Sequence, residues 1–81
     1  MRQGESMKQR IERLAYLALR NVGINDDSVV VQDSDPGIAN PYEGAILFAK
    51  KAGGDKQIKL KLTDSDEALV GQMEDELREL I

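Results

Sequence analysis

From Ser6 to Val22 the apolar residues recur at helical spacing. Met7, Ile11, Leu14, Ala15, Ala18 and Val22 form one stripe at about 100° per residue, flanked by Leu17 and Leu19. Ser6 with Gln9 fits a capping box, and Asn21-Val22-Gly23 supplies a glycine for the far end. Tyr16 falls almost opposite the stripe, in line with Gln9, Arg13 and Arg20. The apolar arc is wider than packing on one small sheet requires. Broad core contact explains that width; a second buried surface is the sharper explanation.

Past the polar turn Asn25-Asp26-Asp27 the helical period is lost. Ser28 to Gln32 is dominated by β-branched residues and predicts a strand. Asp33 to Tyr42 holds both prolines, Pro36 and Pro41, with Gly37 and Asn40, and predicts a loop. It is long for a hairpin connection, and loops of that length often bind something. A hairpin follows over Glu43 to Asp64. Ala45 to Ala49 is apolar throughout, as in the middle of a sheet, whereas Gln57 to Thr63 alternates without a miss. Ile58, Leu60 and Leu62 thus share one face, and Lys59, Lys61 and Thr63 the other. Between the strands, Ala52-Gly53-Gly54-Asp55-Lys56 offers the glycines of a tight turn.

The last segment is helical again. Asp64 with Glu67 fits a second capping box, and Leu69, Val70, Met73, Leu77, Leu80 and Ile81 cover a compact arc. Glu67, Glu74, Asp75 and Glu79 lie outside that arc, Glu76 borders it, and the small Ala68 and Gly71 also face outward. The predicted fold is α+β: one domain over residues 1–81 in the order α-β-β-β-α. A three-stranded antiparallel sheet carries two helices packed on one face. Residues 1–5 show no periodicity and read as a flexible tail.

That order of elements resembles the double-stranded-RNA-binding domain over residues 6–81. The family holds phosphates with a basic cluster at the start of its last helix. Here Asp64-Ser65-Asp66-Glu67 stands there, so the resemblance implies the arrangement of elements and not the function.

Composition narrows the chemistry. Of 81 residues, 41% are hydrophobic and 32% charged, a balance for a folded domain with a small core, which assembly with a second copy would help to stabilise. Cysteine and histidine are both absent, so there is no disulfide, no thiolate and no imidazole base. No apolar run approaches the roughly 20 residues needed to span a bilayer, and no signal-peptide core precedes the first helix, which sets the expectation of a cytoplasmic protein. The net charge of −4 is segregated: residues 1–63 carry ten Lys/Arg against eight Asp/Glu, and residues 64–81 seven acids against Arg78 alone. Gln3-Gly4-Glu5 ahead of Met7 can be encoded by a purine-rich run like a bacterial ribosome-binding site. That reading would start translation at Met7 in a bacterial or phage gene; an ordinary N-terminal tail at Met1 is the plain alternative.

Tests for catalytic or metal chemistry return little. Ser6, Ser28, Ser34 and Ser65 have no histidine to activate them. Gly53-Gly54-Asp55-Lys56 lacks the spacing of a phosphate loop and sits between strands. Asp33-Ser34-Asp35 begins like a calcium loop, but Gly37, Ile38 and Gly44 occupy positions where that register needs an oxygen ligand, a glycine and a glutamate. A loose cation site of Asp33, Asp35 and Glu43 is weaker than a solvated turn. No catalytic, cofactor-binding or metal-ligating set is expected, and the chain reads as a non-enzyme.

Two surfaces remain. Glu67, Glu74, Asp75 and Glu79 would make an acidic helix face that binds a protein partner, as in an adaptor or an inhibitor of a basic, nucleic-acid-handling protein. Alternatively Lys50, Lys51, Lys59 and Lys61 would make a basic face on the hairpin for nucleic acid, against the net negative charge. A solvated helix face and lysines that keep a sheet edge unpaired are the ordinary reasons for both patterns.

Overall fold

In the computed structural model, residue 4 and residues 6–25, 27–35 and 42–80 are described. Helix α1 spans Met7–Val22, followed by strands β1 (Val29–Asp35), β2 (Glu43–Lys50) and β3 (Asp55–Lys61) and helix α2 (Asp66–Leu80). The sheet is antiparallel in the order β1-β2-β3, with the helices on one face. The α-β-β-β-α arrangement is therefore the one its hydrophobic periods predict. The continuous apolar run Ala45–Ala49 is the central strand.

The first helix starts and stops as its sequence requires. The Gln9 backbone N–H donates to Ser6 Oγ at 3.1 Å and the Ser6 N–H to Gln9 Oε1 at 2.9 Å, closing the capping box. Gly23 ends it at φ 84°, where a side chain would be strained.

Three boundaries differ from the sequence reading. Strand β3 begins at Asp55, inside the expected turn Ala52–Lys56, and ends at Lys61, short of Thr63, because pairing with β2 starts directly after the two glycines. Strand β1 runs on to Asp35 through an irregularity between Val31 and Asp33, because pairing with β2 continues past its β-branched residues. Residues 36–41 of the expected loop, and residues 1–3 and 5 of the expected tail, lie outside the described residues. Helix α2 is capped by Ser65, not Asp64: Ser65 Oγ accepts from the Ala68 N–H at 3.2 Å. That serine sits three residues before the N–H it satisfies, the spacing an N-cap needs.

The core lies between the sheet and the helices. Ile11, Leu14, Ala18 and Leu19 of α1 and Leu69, Met73 and Leu77 of α2 cover Ile46 and Phe48 of β2, Ile58 and Leu60 of β3, and Val29 of β1. At Gly44 the neighbouring strand and α1 leave no room for a side chain. A Cβ there would stand 2.9 Å from the Asp35 carbonyl oxygen and 2.9 Å from Ile11 Cδ1, so only glycine fits.

The opposite sheet face carries no helix. Register places Ala45 between Asp35 and Lys59, Leu47 beside Gln57, Ala49 between Val30 and Asp55, and Glu43 beside Lys61. This corrects the expectation of a basic face. Its centre is apolar, and acids and lysines share its margin. Among the described residues, no helix is long and apolar enough to cross a membrane.

Candidate functional site between the helices

The two helices run in the same direction, as cross-links at either end of their contact require. Midway along α1, Arg13 reaches Asp66 Oδ2 at the start of α2 at 3.2 Å; near the α1 end, Asn21 Nδ2 donates to Glu74 Oε2 at 2.8 Å. Between these braces lies a groove of about 370 Å³. Leu14, Leu17 and Val70 line it as apolar surface, Gly71 leaves a gap in its α2 wall, and Glu67 stands on its rim. Each wall is a ridge of residues three or four apart, so one helical turn sets its period.

Leu17 is 41% exposed, a large apolar side chain left in water in the groove. Gly71 adds a second oddity. A Cβ built there meets nothing within 4 Å, so no close approach among the described residues requires glycine. In a helix interior glycine costs about 1 kcal/mol relative to alanine.

The electrostatics sort the acids of α2. Glu74 faces Arg78 at 3.8 Å as well as Asn21, Asp75 pairs with Arg78 at 3.2 Å, and Glu79 with Lys56 at 3.5 Å. Lys56 also holds Glu76 at 3.1 Å, and that hydrogen bond, with Glu79 adding to it, keeps its ammonium above the usual lysine range. Glu67 makes no ion pair among the described residues. Of the four predicted partner-binding acids, Glu67 and Glu74 therefore border the groove. Asp75 and Glu79 point to solvent beyond it and are engaged by the chain's own cations.

The lysines of the alternative surface are not brought together. Lys59 and Lys61 lie on the open sheet face, whereas Lys50 is in register with the buried Val29 on the helix side. Lys51 belongs to the turn, about 20 Å along the hairpin from Lys59 at strand rise. The described residues contain no group of three acids arranged to hold a metal, and the Asp33 side chain of the loose cation site lies outside them.

The sequence pattern marks Leu17, Gly71 and the outward acids one by one. It gives no signal for the groove, because Arg13–Asp66 and Asn21–Glu74 are each 53 residues apart in the chain. Compared with known protein families, curated proteins and solved structures, the chain matches none.

Proposed function

We propose that the protein is a non-enzymatic binding module whose α1–α2 groove takes a basic, amphipathic helical segment of a protein partner. The observation that carries this reading is Gly71, a helix-interior glycine opening onto exposed Leu17 beside Glu67, which has no ion pair among the described residues. A partner helix that approaches the α2 backbone explains a glycine that no contact among the described residues needs. An apolar anchor on that segment would lie against Leu17 and Val70. Lysines or arginines at the adjoining positions would meet Glu67 and Glu74. An adaptor, or an inhibitor of a basic nucleic-acid-handling protein, would act this way. Direct binding of nucleic acid is the weaker reading, since the hairpin lysines are divided between two faces and the turn.

An NMR titration with an amphipathic lysine/leucine helical peptide, and a glutamate/leucine peptide of the same pattern, tests the reading. The basic peptide should give saturable shifts at Leu17, Glu67, Val70 and Gly71, and Glu67→Lys should weaken them. Equal binding of the acidic peptide, or shifts confined to Lys59 and Lys61, would overturn it.

A further inference from the structure

A second surface carries a separate inference. The bare face of the sheet presents Ala45, Leu47 and Ala49 in a row along β2, all half-buried, with exposed Val30 beside Ala49. The row is bordered by opposite charges at matching height: Asp35 on β1 and Lys59 on β3 stand on either side of Ala45. That geometry has a consequence under two-fold symmetry. When a second copy is laid face to face about an axis running along β2, β1 of each copy covers β3 of the other. Leu47 then meets Leu47 on the axis, and Asp35 of each copy comes over Lys59 of its partner, twice.

We infer that this face is the contact between two copies of the chain, closed by Leu47 and by reciprocal Asp35–Lys59 pairs. Charge complementarity selects a second copy over a general apolar partner. The face offers both signs at positions that its own two-fold rotation exchanges, and stacked sheets keep their strands near this alignment. The free edge of β3 is already engaged, since Gln72 Nε2 donates to the Lys59 carbonyl at 2.8 Å. Stacking leaves that bond in place, whereas edge-to-edge pairing along β3 would compete with it. The patch is small. Strand spacing of about 4.8 Å and a rise of about 3.4 Å make it roughly 15 by 24 Å. That is at or below the lower limit for a specific interface, about 1,000 Å² in total, so association should be weak and concentration-dependent.

Analytical ultracentrifugation of the full chain over a concentration series tests this. The wild type should move from monomer to dimer, and Lys59→Asp and Asp35→Lys should each be monomeric over the same range. An equimolar mixture of those two variants should dimerise again, because every cross-pair then joins opposite charges. Leu47→Asp, which changes only the bare face, should keep the far-ultraviolet dichroism of the fold and lose the dimer. A wild type that stays monomeric to millimolar concentration overturns the inference. So does a dimer that survives both Lys59→Asp and Leu47→Asp, or two folded charge variants that fail to associate when mixed. Should Asp35→Lys not fold, the responses of Lys59→Asp and Leu47→Asp decide it.

Discussion

Arg10 clasps Asp66 across 56 residues of sequence, Nε to Oδ1 at 2.9 Å, while its other nitrogens donate to the carbonyls of Leu62 at 2.8 Å and Asp64 at 2.9 Å. One guanidinium thereby ties the first turn of α1 to the turn that starts α2. Arg10→Ala should lower stability by about 2 kcal/mol, the scale of hydrogen bonds to a charged group that leave carbonyls unsatisfied, with solvent at the half-exposed Asp66 reducing the share of the ion pair. Chemical denaturation measures it.

The same contact predicts an acid limb in the stability curve. Hydrogen bonds from Arg10, and then from Arg13, hold the Asp66 carboxyl below its ordinary range. A folded value below the unfolded one means the contribution is complete above the unfolded pKa of about 3.9 and disappears as pH falls through the lower folded value. Stability measured between pH 7 and pH 2 should therefore lose less below about pH 4 in Asp66→Asn than in the wild type. Parallel losses in both proteins would contradict the assignment.

The hairpin register gives a sharp contrast. Leu60 is 2% exposed against the helices, and Lys61 next to it is in water. Leu60→Asp should unfold the domain, since a carboxylate replaces a buried side chain. Lys61→Asp should leave the thermal midpoint nearly unchanged. The reverse outcome would mean that the strand is turned over by one residue.

These elements show what was legible in the chain. Periodicity is local, so α1 with its capping box, the alternating β3 and the apolar centre strand can all be read from neighbouring residues. The bare sheet face cannot, because its character depends on which strands adjoin. Counting lysines along the hairpin predicts a basic face. Register instead sets Ala45 beside Lys59, with Asp35 on the far side of Ala45, and turns Lys50 and Lys56 toward the helices. The groove depends likewise on contacts between α1 and α2, which no local pattern encodes. Arg10 gives no sequence signal at all, since two of its acceptors are backbone carbonyls.

Two glycines should respond in opposite ways to alanine. At Gly44 the new methyl meets backbone and Ile11 at 2.9 Å, so Gly44→Ala should cost about 1–3 kcal/mol through overpacking. At Gly71 the methyl enters open space, and Gly71→Ala should stabilise by up to about 1 kcal/mol through helix propensity. Thermal denaturation of both variants checks the pair.

Gly71 also gives the most direct test of the groove as a binding site. Isothermal titration calorimetry would compare the lysine/leucine helical peptide on the wild type and on Gly71→Leu, with thermal denaturation of each protein alongside. The leucine fills the gap between the helices without disturbing the core. Gly71→Leu should therefore be at least as stable as the wild type and bind the peptide at least about tenfold more weakly, a loss of about 1.4 kcal/mol. A stable Gly71→Leu protein that binds the peptide as tightly as the wild type would contradict the account.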